Sequence, residues 1–115
     1  KVLALTNLRA LNEALHSTVE WADEIRFAYA WMTTGEQWDS IPDEKLSKGV
    51  VGLHFAQTDP TVIEHFLGTE RLKVVNECAG VFHPKVLVAL KGSQVRVLLG
   101  SSNATRGGFS RNVEI

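Results

Sequence analysis

The alternation of apolar and polar residues along the chain predicts a sheet whose strands are interrupted by helices. Leucines and valines recur at three- and four-residue spacing over Asn7–Ala22, which predicts an amphipathic helix capped by Asn7 or by the threonine before it. A short second helix is predicted over Thr61–Leu67, because Asp59-Pro60 is a typical helix start and Gly68 a typical helix end.

Six strand-like runs precede, separate or follow these helices. The run Ile25–Met32 is largely apolar, as expected for a sheet covered on both faces. The polar, acidic residues 33–48 are predicted to connect two strands, with a short helix at Pro42–Leu46. The six predicted strands are Val2–Leu5, Ile25–Met32, Val50–Ala56, Leu72–Asn76, Val86–Leu90 and Val95–Leu99.

This order of elements predicts an α/β fold with a mixed β-sheet flanked by helices. The length of 115 residues fits a single domain over residues 1–115, and the absence of an initial methionine leaves open that the chain is a fragment of a longer protein. No apolar run approaches the roughly 20 residues of a membrane span. Cys78, the single cysteine, suits a reducing compartment, so we expect a cytoplasmic protein.

The last two strands are predicted to form a hairpin. A Gly-Ser pair between two β-branched runs is a typical two-residue loop, in which Gly92 supplies the positive φ angle. The resulting register places Lys85 opposite Gly100 and His83 opposite Ser102. Because side chains of a strand alternate between its faces, His83 and Lys85 point the same way.

A cluster of groups suited to a phosphodiester is therefore predicted at the open end of the hairpin. Neutral His83 can attack phosphorus and form a phosphohistidine, and Lys85 and Asn103 can donate hydrogen bonds to the charged oxygens. Ser101 can donate or orient, and Ser102 lies beside it. This chemistry requires no metal and no cofactor.

Two further residues extend the candidate site. Glu114 is the best candidate for a carboxylate that holds the far imidazole nitrogen and fixes its tautomer. Arg106 either clamps phosphate or lies in solvent. The alternative interpretation of the whole cluster is structural, since a His-x-Lys at a strand start and a Gly-Ser-x-Asn turn are each common without function.

These motifs resemble those of the phospholipase D superfamily, the HKD phosphodiesterases. The family has His-x-Lys, four further residues and an Asp, then Gly-Ser-x-Asn and a later Glu or Asp. This chain has His83-Pro84-Lys85, Gly100–Asn103 and Glu114, but Leu90 stands where the family has Asp. The resemblance is to the single-motif type, similar to metal-independent restriction endonucleases and helicase-associated domains. It implies a phospholipase D-like half with His83 as the nucleophile.

The resemblance also implies a partner. The family uses two histidines, one to attack phosphorus and one to protonate the leaving oxygen. This chain has one His-x-Lys, so activity would require a homodimer with a shared site.

Charge favours nucleic acid as the substrate. Residues 1–70 carry five basic and eleven acidic residues, a net charge of −6, whereas residues 71–115 carry seven and two, a net charge of +5. We therefore expect a metal-independent phosphodiesterase or nuclease that binds DNA or RNA. The alternative is an inactive module that binds nucleic acid or mediates dimerisation within a larger helicase- or restriction-type protein.

Overall fold

This computed structural model describes residues 2–33, 41–53, 57–76 and 80–100. Within them, two α-helices, a 3₁₀ turn and five strands form in chain order. The elements are α1 Leu8–Trp21, β1 Glu24–Tyr29, a 3₁₀ turn at Asp43–Lys45, β2 Leu46–Gly52, α2 Pro60–His65, β3 Leu72–Val75, β4 Lys85–Lys91 and β5 Gln94–Leu99. None of the described helices is long and apolar enough to cross a membrane.

Helix α1 is held at both ends by side chains. At its start, the Asn7 carboxamide oxygen accepts a hydrogen bond from the Ala10 N–H at 2.9 Å, as the sequence predicts. At its end, the Lys45 ammonium donates to the Val19 carbonyl oxygen at 2.7 Å, where a cation suits the helix dipole. The buried face of α1 contains Leu15 and Val19.

The five strands form one mixed sheet in the order β3-β2-β1-β4-β5. β1 is parallel to β2, and β2 is parallel to β3. β4 is antiparallel both to β1 and to β5. The predicted α/β fold with a mixed sheet is confirmed, and β1 lies at the centre of the sheet.

One face of the sheet carries the core. Along β1, Ile25, Phe27 and Tyr29 are buried, whereas Arg26 between them is exposed. The core cluster combines these three residues with residues of both helices and of β2 and β4, among them Leu15, Val19, Val51, Val62, Leu87 and Ala89. Both helices contribute to this core. On the other face of the sheet, Ala28, Val86 and Val88 are half-buried, and the expectation that this face is covered stays a prediction.

Two strand predictions need correction. Residues 2–5 do not form a strand, and Val2 and Leu3 are 97% and 69% exposed, since a strand is stabilised by a pairing partner that this segment lacks in the described part of the chain. β2 begins at Leu46 and ends at Gly52, earlier than its apolar run suggests. Its first residues pair with β1, and the Phe27 ring occupies the space that a Cβ at Gly49 would fill.

Candidate active site at the carboxyl edge of the sheet

The carboxyl ends of four strands meet at one edge of the sheet, which we call the carboxyl edge. β1, β2, β3 and β5 all run in one direction, and β4 runs in the other. The amino end of β4 therefore lies at the carboxyl edge as well. In open α/β sheets, ligands bind in the crevice outside the carboxyl ends of the strands. Geometry alone makes this edge the expected place for a site.

His83 and Lys85 lie at the carboxyl edge, where β4 begins. The Lys85 ammonium nitrogen lies 2.7 Å from His83 Nδ1, 3.0 Å from His83 Nε2 and 3.1 Å from the His83 carbonyl oxygen. The imidazole is exposed and Lys85 is half-buried. The structure thus brings the ammonium within hydrogen-bonding distance of whichever ring nitrogen lacks a proton.

The hairpin register brings the end of β5 to the same place. Lys91 pairs with Gln94 across the loop, and Gly92 has a φ of +56°, as predicted. At the other end of the hairpin, the Gly100 N–H donates to the Lys85 carbonyl oxygen at 3.3 Å. The chain therefore leaves β5 directly beside Lys85. Ser101, Ser102, Asn103, Arg106 and Glu114 lie outside the described residues, so their roles stay predictions.

Trp31 is a neighbour of His83 that sequence reasoning missed. The ring centroids of the two side chains lie 5.4 Å apart, with an angle of 77° between the ring planes. Tyr29 pairs with Lys85, so the same antiparallel register, continued by two residues, sets Trp31 opposite His83. No local pattern signals this contact, because it depends on β1 pairing with a strand more than fifty residues later in the chain.

Tyr29 lies beneath the site without serving it as a base. Its Cα is paired with that of Lys85, and its side chain is only 5% exposed. Burial raises the pKa of the Tyr29 phenol well above its usual range, because the charged phenolate loses its hydration. The phenol therefore stays protonated at neutral pH, so Tyr29 does not act as a base at this edge of the sheet.

The other histidines of the described residues have different partners. On α1, the exposed His16 lies 3.4 Å from the Glu20 carboxylate, and the exposed Glu13 is paired with Arg9. His65 Nε2 lies 2.7 Å from Asp43 Oδ1, close to the amino ends of β2 and β3. No group of three His, Cys, Asp or Glu side chains suited to a metal occurs in the part of the chain that the structure describes. His54 lies outside it.

Comparison with known proteins supports the fold. No protein-family profile and no curated protein sequence matches this chain. Among solved structures, the chain is similar to NucT from Helicobacter pylori, with a TM-score of 0.65 and 20% sequence identity. The similarity covers 93% of this chain and 75% of the NucT chain. At this level of identity it shows the fold alone, which agrees with the predicted α/β fold built on a mixed sheet.

Proposed function

We propose that the chain is a metal-independent phosphodiesterase domain that cleaves nucleic acid through a phosphohistidine at His83. The observation that carries the proposal is the contact of the Lys85 ammonium with the exposed His83 imidazole at the carboxyl edge. A nucleophilic nitrogen and a fixed positive charge are the two groups that attack on a charged phosphodiester requires most. The phospholipase D-like fold supports the same assignment.

Lys85 has two successive partners in this proposal. Without substrate, its ammonium lies 2.7 Å from His83 Nδ1 and can occupy the lone pair of that nitrogen when the nitrogen is unprotonated. A non-bridging phosphate oxygen carries negative charge and is a stronger acceptor than a neutral imidazole. Substrate binding therefore draws the ammonium to the phosphate and frees the imidazole nitrogen for attack. The positive charge then stabilises the charge that accumulates on the phosphoryl oxygens.

The reaction has two displacements at phosphorus. In the first, a His83 nitrogen forms a bond to phosphorus while the bond to the leaving oxygen breaks, and a second imidazole gives that oxygen its proton. In the second, the same second imidazole takes a proton from water as the water oxygen attacks phosphorus. The nitrogen–phosphorus bond breaks, a phosphate monoester leaves, and both histidines return to their starting states.

The second imidazole comes from a second copy of the chain. Among the described residues, the carboxyl edge presents a single histidine, and His16 and His65 are engaged elsewhere. A two-fold homodimer that joins two carboxyl edges would supply the attacking and the protonating imidazole from identical positions. The proposed site is therefore shared between two copies.

The replacement of the family's Asp by Leu90 leaves the reacting groups in place. Leu90 lies five residues beyond Lys85 along β4 and pairs with Glu24 at the start of β1. At about 3.4 Å per residue, the Cα atoms of Leu90 and Lys85 are roughly 17 Å apart. A side chain at position 90 therefore lies at the opposite edge of the sheet and cannot touch a phosphate bound beside His83. We therefore infer that Leu90 in place of the Asp alters the packing of the fold and does not remove a reacting group.

The test is to trap the covalent intermediate. Incubation with a DNA or RNA oligonucleotide in the presence of a chelator should join one fragment of the cleaved oligonucleotide to His83 through its terminal phosphoryl group. Mass spectrometry after rapid quenching detects this adduct. His83→Ala should lose both the adduct and cleavage, whereas His16→Ala, a matched change at an exposed position, should keep both. Salt-sensitive binding without any adduct or cleavage would identify the chain as a binding module and refute the enzymatic proposal.

A further inference from the structure

The place of Trp31 at the site is fixed by the backbone on both sides of it. The Ala30 N–H donates to the Pro84 carbonyl oxygen at 2.8 Å, and the Gly52 N–H donates to the Ala30 carbonyl oxygen at 3.1 Å. Ala30 thus ties the end of β1 to the segment before β4 and to the end of β2. The residue that follows Ala30 is carried directly to the side of His83.

The residue after Trp31 is anchored as firmly. Met32 is fully buried, and its N–H donates to the Thr58 hydroxyl at 3.2 Å. That buried hydroxyl donates in turn to the Gly52 carbonyl oxygen at 2.6 Å, and the Asp59 N–H donates to the Met32 carbonyl oxygen at 2.8 Å. With a buried, hydrogen-bonded residue on each side, the Trp31 backbone cannot shift without disturbing the core. The backbone that carries the indole is therefore held in place beside His83.

The imidazole of His83 needs a packing partner that restricts its orientation. It is exposed, and an exposed side chain samples several rotamers when nothing packs against it. Lys85 cannot hold the ring throughout the reaction, because its ammonium is the group that the phosphate recruits. The near-perpendicular contact with Trp31 restricts the ring plane by packing and by the attraction of a positive ring edge to a negative ring face.

We infer that Trp31 is a positioning residue for the nucleophile: it holds the His83 imidazole in the orientation from which a ring nitrogen attacks phosphorus. This inference rests on the proposed function, and it adds a residue outside the His-x-Lys and Gly-Ser-x-Asn motifs. Trp31 touches neither the substrate nor the transferred proton in this role. Its effect is exerted on the fraction of molecules whose imidazole is correctly aligned.

The kinetic test compares two substitutions of Trp31 with one matched control. Trp31→Leu should lower kcat about 3- to 10-fold, the range expected for the loss of one aromatic pair, and leave KM within twofold. Trp31→Phe restores a ring against the imidazole and should recover most of kcat. Trp21→Leu removes a tryptophan that packs against Arg96, near the opposite edge of the sheet, and should leave kcat unchanged. A loss equal in Trp31→Leu and Trp21→Leu, or a loss confined to KM, would overturn the inference.

A second readout does not depend on turnover. Nitrogen-15 spectra of the imidazole side chains report the tautomer of His83 and the mobility of its ring. In the unsubstituted protein we expect one dominant tautomer and a restricted ring, and in Trp31→Leu a mixture of tautomers and faster ring motion. If the protein cleaves nothing but these spectra change, the proposed function fails and the positioning contact stands. If the spectra are identical in both proteins, the positioning role is refuted even for an active enzyme.

Discussion

At the residue scale, the proposed nucleophile His83 lies beside an ammonium group that can occupy its ring nitrogen until phosphate binds. The ammonium lies close to both ring nitrogens and to the His83 carbonyl oxygen, which leaves it held near the imidazole in the absence of a ligand. A phosphate competes for the same donor because charge-assisted hydrogen bonds are stronger than those to neutral acceptors. One lysine can thus both protect the nucleophile and bind the phosphate.

Removal of the Lys85 charge should affect catalysis more than folding. Lys85→Met should lower kcat by about 10²- to 10³-fold, as expected when one preorganised donor to a developing oxyanion is lost, and Lys85→Arg should retain an intermediate rate. Single-turnover cleavage measures the effect, with urea unfolding as the check on folding. Lys91→Met is the matched control, since Lys91 ends the same strand at the opposite edge of the sheet and is exposed. Equal rates in the Met variants of Lys85 and Lys91 would contradict the assignment.

At the element scale, the β4–β5 hairpin determines which residues share the carboxyl edge. Its two-residue loop fixes Lys91 opposite Gln94, and the pairing follows without a shift to Val86 and Leu99. A slip by one residue would turn every side chain of one strand to the other face and separate Lys85 from the end of β5. The positive φ of Gly92 is therefore part of the construction of the site, although Gly92 lies at the far end of the hairpin.

Substitutions at Gly92 can test the backbone angle separately from packing. No atom lies within 4 Å of the position that a Cβ would take at Gly92, so any side chain has room there. Gly92→Asn should cost little, because Asn tolerates a positive φ, whereas Gly92→Val should lower the free energy of unfolding by about 1–3 kcal/mol. Urea unfolding measures the difference, and equal stability of the two variants would show that the loop does not depend on this angle.

At the scale of the whole molecule, the topology collects the ends of four strands and the start of the fifth at one edge. Among the described residues, His83 is the one histidine at the carboxyl edge, whereas the proposed chemistry uses two imidazoles. Under the proposed function, a second copy of the chain supplies the other imidazole. In the proposed dimer each subunit has the same task, since a two-fold axis makes the attacking and protonating histidines interchangeable.

Mixing experiments can detect a site shared between two copies. Unsubstituted protein is allowed to exchange subunits with an excess of His83→Ala at a fixed total protein concentration. The cleavage rate should fall as the square of the fraction of unsubstituted chains, because only dimers with two His83 imidazoles cleave the substrate. Independent subunits would give a linear decrease. Mixing with His16→Ala should leave the cleavage rate equal to that of unsubstituted protein at the same total concentration, since that residue lies on the exposed face of α1. Ultracentrifugation should show the dimer at the concentrations used.

The sequence by itself determined the features that depend on neighbours along the chain. The spacing of leucines and a cap at Asn7 or Thr6 predicted α1, and the Gly92-Ser93 loop specified the register of the hairpin. Both are local, because their hydrogen bonds join residues close in sequence and the turn chemistry leaves one favourable geometry. The sequence also predicted that His83 and Lys85 lie on one face, because residues two apart in a strand point the same way.

Only the tertiary structure decided the features that depend on which distant strands pair. The contact of Trp31 with His83, the early start of β2 at Leu46 and the placement of both helices on one core follow from the order of strands in the sheet. Apolar periodicity predicts that a segment has a buried face, but it does not predict which strand the segment pairs with, because many pairings bury a similar apolar area. The arrangement around the imidazole thus belongs to the assembled sheet rather than to any segment of the chain.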